Sequence, residues 1–403
     1  MTASAPDTSQ GALGDDYRLV VVGSGFFGAT IARKVAVHLN LPVLVIERRD
    51  HIGGNAYSEV DGETGVEVHR YGSHLFHTSN EEVWDFLRQF TGFNNYRHRV
   101  FTRHAARVYT MPINLMTINN FFGVDLTPAQ ARELIQRQVE AEGISHPQNL
   151  EEKAISLIGR PLYEAFVRHY TAKHWEVDPT QLPEDIITRL PVRFNLNDFY
   201  FQDSYEGLPL VGYGELFRKM LSHERIKVVL GCDFFEARHA IPEAVPIVYT
   251  GPIDRYFGYR FGELGWRTLD FETERLDIDD FQGAAVVNYP DPDVRFTRIH
   301  EFKHLHPERR YERKTLIMRE YSRFARKNDE PYYPIGRHED KRRYDRYREL
   351  AALETNVVFG GRLGTYRYLD MHQAIGAALR AYDSKVVPLL TGSEVPGPLS
   401  VVR

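Results

Sequence analysis

Cysteine is nearly absent from this chain of 403 residues: Cys232 stands alone. That excludes an internal disulfide and fits a reducing compartment. No apolar run approaches the roughly 20 residues that span a bilayer, and the N-terminal stretch lacks the basic and apolar regions of a secretory leader. The expectation is a cytoplasmic protein without membrane insertion. Excess positive charge is missing as well, and a formal net charge of -5 offers no field for nucleic acid. There is no His-rich metal spacing and no G-x-S-x-G elbow, so no metal is expected and no serine hydrolase. Internal repeats are lacking. Residues 1–16 and 391–403 read as flexible tails. The remainder, in a chain 42% hydrophobic overall, is long enough for two or three ordinary domains.

What is present starts with "YRLVVVGSGFFGATIARKV". Leu19 to Val22 is an apolar, β-branched run that reads as a buried strand. Gly23, Gly25 and Gly28 follow in G-x-G-x-x-G spacing. The first permits a tight turn, the second lets backbone approach a pyrophosphate, and the third lets the helix from Phe26 lie close to the sheet. That helix points unpaired N–H groups at phosphate oxygens. A second strand, Val43 to Ile46, ends at Glu47, the spacing at which a carboxylate meets ribose hydroxyls. Glu47 disfavours a 2′-phosphate, although Arg48 beside it softens that argument.

FAD is favoured over NAD by three further segments. "HIGGNAYS" supplies Gly53 and Gly54 after the second strand, where a flavin's ribityl chain needs close backbone. "VPIVYTGPID" is a strand ending in Gly251. "VVFGGRLGTYRYLDM" is a strand followed by Gly360 and Gly361, with Asp370 and Met371 opening a helix whose N-terminus suits a flavin's pyrimidine end.

Between these pieces the pattern is helical, then strand-like. "SNEEVWDFLRQF" reads as a helix opened by a capping box of Ser79 and Glu82. "LTPAQARELIQRQVEAEG" repeats the device with Thr127, Pro128 and Gln130. "NLEEKAISLIG" is bounded by Asn149 and Gly159, and Pro161 opens "RPLYEAFVRHYTAKHW". A small hairpin is expected near Val100 to Tyr109. From Arg193, "RFNLNDFYF", "WRTLDFETERL", "AAVVNY", "RFTRIHEF" and "TLIMREYSRF" read as strands of an antiparallel sheet. The fold expected is α/β: a discontinuous Rossmann-like FAD-binding domain (17–79, 212–255 and 340–390), a mainly helical domain (80–188) and an antiparallel sheet domain (189–211 and 256–339). The polar, proline-containing stretch "HWEVDPTQLPED" reads as a closing lid over 176–190.

Arginines set among aromatics are the chemical feature outside the cofactor turns. They include Arg189, Arg193 and Tyr200, Arg298, Tyr170 and Trp175, Tyr333, and Tyr366 with Tyr368. Guanidinium suits bidentate contact with phosphate, and tyrosine stacks and hydrogen-bonds. The chain resembles the prokaryotic UDP-galactopyranose mutase family, in its actinobacterial-like branch, from Tyr17 to about Tyr382. "GSGFFGATIA", "IERRDHIGGNAYSE", "YGSHLFHTSN", "TRLPVRF", "TRIHEF", "MREYSRFA", "EPYYPI" and "GGRLGTYRYLDMH" carry the resemblance.

The resemblance implies an isomerase that interconverts UDP-galactopyranose and UDP-galactofuranose for cell-surface glycans. FAD is active when reduced, its N5 forming a covalent adduct with the sugar's anomeric carbon. UDP is the expected inhibitor, an unidentified reductant is required, and a homodimer or higher homo-oligomer is expected. By motif match, Arg189 and Arg298 steady the departing diphosphate, and His74 sits beside the isoalloxazine. Tyr333 and Tyr368 touch the diphosphate; Phe166, Tyr170, Thr171, Trp175, Tyr200, Asn288 and His98 receive the uridine and the sugar. Cofactor contacts fall on Gly23, Gly25, Phe27, Gly28, Glu47, Arg48, Gly53, Gly54 and Asn55. They continue through His74, Leu75, Asp233, Phe234, Gly251, Gly361, Arg362, Leu369, Asp370 and Met371.

Ser73 precedes His74 where relatives often carry Pro or Ala, which leaves the loop's resting conformation open. The main alternative is a flavin oxidoreductase akin to amine oxidases, which shares the glycine turn and Glu47. A non-enzymatic UDP-binding or redox-sensing module is the other; intact Arg189, Arg298 and His74 argue against it.

Overall fold

The structure is a computed structural model that describes residues 16–184, 192–327 and 329–392. Its first layer is a parallel sheet. Leu19–Val22 lies between Val43–Ile46 and Ile247–Tyr249, and Ile226–Val229 and Val357–Phe359 extend it to five strands. The central strands are apolar at every position because helices or loops cover both faces. Chain order and sheet order differ, so segments from the start, middle and end of the chain build one unit. The helices Phe26–Lys34 and Met371–Ala381 share its core, with Ala29, Ile31 and Ala32 in one cluster with Ile375, Ala378 and Leu379.

A second sheet has seven strands, ordered Tyr333–Pro334, Trp266–Leu276, Thr315–Phe324, Arg298–Glu301, Val286–Asn288, Val100–His104 and Arg107–Met111. All of its pairings are antiparallel except that of Val286–Asn288 with Val100–His104. The hairpin read within the helical insertion therefore joins this sheet, with Phe101 opposite Val287. The helices Leu115–Phe122, Pro128–Glu142 and Leu150–Ile158 and a helical run from Arg160 to Trp175 form a separate core around Ile118, Ile135, Ile155, Ile158 and Phe166. Thr127 and Gln130 make the expected capping box behind Pro128, and Asn149 accepts from the Glu152 N–H at 2.9 Å.

Two local expectations are corrected. Asn80, not Ser79, caps the Glu81–Arg88 helix, accepting from Val83 N–H at 3.1 Å. Ser79 is occupied elsewhere, donating to Asp203 at 2.7 Å. "RFNLNDFYF" is not a strand. Asn195 and Asn197 accept from the N–H groups of Asn197 and Phe199, each at 3.0 Å, turning the chain locally. Its backbone pairing with neighbouring segments is limited to isolated bridges at Asn114 and Arg99, with Arg99 also bonding Asp198 at 3.0 Å.

Candidate active site

A cavity of about 700 Å³ opens along the C-terminal ends of the parallel strands. The glycine turn makes its floor. Gly23 has φ +96°, and a Cβ at Gly28 would lie 2.0 Å from the Gly23 carbonyl oxygen, so only glycine lets the helix start there. Across the cavity, a Cβ at Gly54 would stand 3.3 Å from Gly25 Cα. The two backbone stretches face each other with no side chain between them. The Phe26–Lys34 helix has no side-chain cap at Gly25, which leaves its first N–H groups open to the cavity.

Glu47 borders this floor, accepting from Ser24 N–H at 2.9 Å, Ser24 Oγ at 2.7 Å and Arg49 N–H at 3.0 Å. Arg48 lines the wall but turns toward Glu330 and is half-exposed. Arg49 is the buried cation of the pair. It bonds Glu330 at 2.8 Å and Asn55 at 2.7 Å, lies 4.4 Å over the Tyr71 ring, and keeps Nη1 buried without a protein partner. Burial opposes its charge, but Glu330 outweighs that and raises its pKa. An unpaired buried guanidinium nitrogen, open helix N–H groups and a glycine-lined floor fit the diphosphate and ribose of a dinucleotide.

The motif residues Gly23, Gly25, Phe27, Gly28, Glu47, Arg48, Gly53, Gly54, Asn55 and His74 line the cavity. So do Asp233, Phe234, Gly251, Gly361, Arg362, Leu369 and Met371. Leu75 and Asp370 lie outside that lining. Leu75 packs against the core behind the loop, and Asp370 caps the Met371–Ala381 helix in a capping box with Gln373. Asp370 also brings a ligand atom within 4.8 Å of ligand atoms of His77 and His372, while His77 Nδ1 bonds Asp203 at 2.6 Å.

The antiparallel sheet carries a polar row set by register. Glu320, Arg298 and Asn288 are direct partners on successive strands, continued by Thr102. Directly paired residues share a face. His300, two residues from Arg298, is on that face too and bonds Glu320 at 3.0 Å. Arg298 lies 3.3 Å from Glu320 and donates to the Tyr170 hydroxyl. Burial works against both ionised forms. Arg298 and the His300 N–H nevertheless bring the pKa of Glu320 down to about 2, and Glu320 holds that of Arg298 up.

Aromatic rings close around this pair. Tyr170 stacks near His174, which is 6.0 Å from Tyr333, and Tyr333 is 5.7 Å from Tyr368. Arg362 lies 5.0 Å over Tyr368, so the cofactor cavity and the arginine–tyrosine face meet there. Asn288 Oδ1 is buried without a partner. His98 stands 5.6 Å from Tyr200, and burial, then Arg298, press its pKa to about 3. His74 is neutral, its pKa brought to about 4 by burial. Its Nδ1 faces the Gly72 carbonyl at 2.8 Å and so keeps the proton, leaving Nε2 as an acceptor.

Other motif residues have different surroundings. Phe166 is packed in the helical core, 5.1 Å from Tyr109 and 5.3 Å from Phe121. Thr171 is buried. Trp175 ends its helix, and its carbonyl accepts from Arg267 at 3.2 Å. Arg189 and the segment 185–191 lie outside the described residues.

Several residues at this face are not evident from motif spacing. Lys173 Nζ donates to the carbonyls of Tyr289, Asp291, Val294 and Phe296, pinning the helix of Tyr170 to the loop before Arg298. Arg267, fully buried, bonds Glu176 at 3.1 Å just after Trp175. Glu320 and His300 complete the group. The signal for His300 was the two-residue alternation with Arg298; Glu320 sits in a motif but needs strand register to be placed.

A Rossmann-type sheet with a flavin-type dinucleotide cavity, abutting an antiparallel sheet that presents a half-buried arginine ringed by tyrosines, defines a flavoenzyme of the mutase and oxidase architecture. The fold alone does not separate those two. A crystal structure of reduced UDP-galactopyranose mutase superposes with TM-score 0.71 at 15% identity, covering 94% of this chain and 96% of that one. A putative protoporphyrinogen oxidase from Exiguobacterium superposes with TM-score 0.59 at 13% identity, covering 92% and 98%. Sequence separates them. The chain belongs to the UDP-galactopyranose mutase family: the family model matches residues 165–368, after a match to an NAD(P)-binding Rossmann-like domain over 21–90. A probable UDP-galactopyranose mutase of Klebsiella pneumoniae is 42% identical over 95% of this chain and 98% of its own length. A dTDP-fucopyranose mutase of Escherichia coli is 40% identical over 90% and 96%. Among the described residues, no helix is long and apolar enough to cross a membrane.

Proposed function

We propose that the chain interconverts UDP-galactopyranose and UDP-galactofuranose, with FAD in the glycine-floored cavity and active when reduced. The observation that carries this reading is the Arg298–Glu320 pair ringed by Tyr170, Tyr333 and Tyr368 at the cavity's edge, in a chain of this family. When bound and reduced, FAD would be held by the glycine floor with Glu47 and Arg49 and would supply a nucleophilic nitrogen for the sugar. The protein's own part is electrostatic and positional. Arg298, with Arg189 from the segment after Trp175, stabilises charge that develops on the leaving diphosphate. The Tyr333 and Tyr368 hydroxyls donate to the same diphosphate. Phe166, Tyr170, Thr171 and Trp175, with Tyr200, Asn288 and His98, receive the uridine and the sugar. His74 presents an acceptor nitrogen beside the isoalloxazine. We further assign supply of galactofuranose to cell-surface glycans, a cytoplasmic setting, a homodimer or higher oligomer, inhibition by UDP and dependence on a separate reductant.

The dTDP-fucopyranose mutase relative favours a second reading in which the chain accepts a deoxythymidine-linked 6-deoxy sugar. Incubating reduced protein with UDP-galactofuranose and, separately, dTDP-fucofuranose, and following each pyranose by chromatography, decides between them. Higher kcat/KM for UDP-galactofuranose is expected. Preference for the dTDP sugar would transfer the assignment, and conversion of neither would overturn both.

A further inference from the structure

The loop Gly72–Ser73–His74 lies on the cofactor side, and Arg298 on the substrate side. A continuous chain of polar contacts, buried at its His300–Glu320 centre, joins them. Ser73 Oγ is 2.7 Å from His300 Nδ1, His300 Nε2 is 3.0 Å from Glu320, and Glu320 is 3.3 Å from Arg298 Nε. The proton positions follow from chemistry. Burial lowers the pKa of His300 despite Glu320, so the ring is neutral with a single N–H. The carboxylate of Glu320 keeps that proton on Nε2, and Nδ1 must accept from the Ser73 hydroxyl. The ring plane is held by near-parallel stacking on Phe302, at 5.7 Å and 5°. The loop also rests on the pair directly: a Cβ at Gly72 would meet Phe271 at 3.3 Å and Glu320 Oε2 at 3.5 Å. His74 N–H is tied to His69 Nδ1 at 3.0 Å, so the loop has little slack of its own.

We infer that Ser73 and His300 are positioning residues that tie the His74 loop to Arg298 through Glu320, so that cofactor side and substrate side are set as one unit. Neither residue touches the sugar. Loss of the Ser73 hydroxyl leaves His300 Nδ1 buried without a donor, and the imidazole that holds Glu320 against Arg298 gains freedom to turn. The inference rests on the mutase reading only for the ligand of Arg298.

Two measurements on the FAD-loaded protein test it. In protein labelled with nitrogen-15 histidine, His300 should appear as the neutral Nε2–H tautomer, with an Nδ1 resonance that moves in Ser73→Ala. An Nδ1–H tautomer or an imidazolium would overturn the inference without reference to any substrate. UDP titration is the second. Ser73→Ala should weaken UDP binding about threefold to tenfold, the scale of one ordinary hydrogen bond, with FAD content unchanged. Ser73→Thr should restore it, and Ser73→Ala added to His300→Gln should cause no further loss. Wild-type affinity in Ser73→Ala would overturn the coupling. Wild-type protein that binds no UDP would instead remove the mutase reading, and the nitrogen-15 result would still decide the contact between Ser73 and His300.

Discussion

Replacing Glu320 with glutamine keeps the side chain's shape and removes its charge, leaving the half-buried Arg298 beside a neutral amide. The folded protein holds the Glu320 pKa at about 2 against 4.5 for a free glutamate. Because the folded pKa is depressed, the ionised carboxylate contributes stability that is fully present above pH 4.5 and is lost as pH falls through about 2. At 1.36 kcal/mol per pKa unit the contribution at pH 7 is about 3 kcal/mol, in line with the cost of breaking a buried ion pair. Thermal melting of the FAD-loaded protein at pH 7 should show Glu320→Gln several degrees below wild type. The gap should narrow as pH falls below about 4. UDP should recover more of the loss in the variant than it adds to wild type, because a diphosphate replaces the missing anion. Equal melting of the two proteins at pH 7 would refute the view that Glu320 neutralises Arg298.

Arg298→Ala and Arg189→Ala should each lower kcat by about 10² or more while FAD stays bound, as expected for a group that stabilises charge in the transition state; near-normal turnover would remove that arginine from the mechanism. Gly28→Ala should yield protein with little bound flavin, read from the ratio of visible to ultraviolet absorbance, because the added methyl would collide with the Gly23 carbonyl. Lys173→Met leaves four part-buried carbonyls without their shared donor and should destabilise by about 1–2 kcal/mol in urea unfolding, with KM rising as the Tyr170 helix loosens. UDP should protect the 176–190 segment from limited proteolysis if it closes as a lid.

Much of the cofactor half was legible from sequence because its physics is local. An apolar run, three glycines at fixed spacing and an acidic residue after the next strand leave few alternatives, and the parallel strands appear where those runs are. Placement failed where two local solutions competed. Ser79 and Asn80 both suit a cap, and only the distant Asp203 decides which is free. "RFNLNDFYF" alternates like a strand, but its asparagines satisfy the backbone themselves. The hairpin's partner, the Val286–Asn288 strand, is remote in sequence, so its place in the larger sheet could not be read from periodicity. The row Glu320–Arg298–Asn288 depends on register across three strands. Arg49 was overshadowed by Arg48 because adjacent arginines look alike until burial separates them. Ser73, an open question in the sequence, gains a partner only when the second sheet folds against the loop.

In the proposed reaction the protein rearranges a sugar while its flavin, although indispensable, gives up no electrons overall. That reaction is tested most directly by following flavin absorbance and product in the same anaerobic sample of dithionite-reduced protein given UDP-galactofuranose. Many molecules of UDP-galactopyranose per flavin are expected, with the spectrum still that of the reduced form. One flavin oxidised for each sugar consumed, or no pyranose at all, would contradict the proposed reaction.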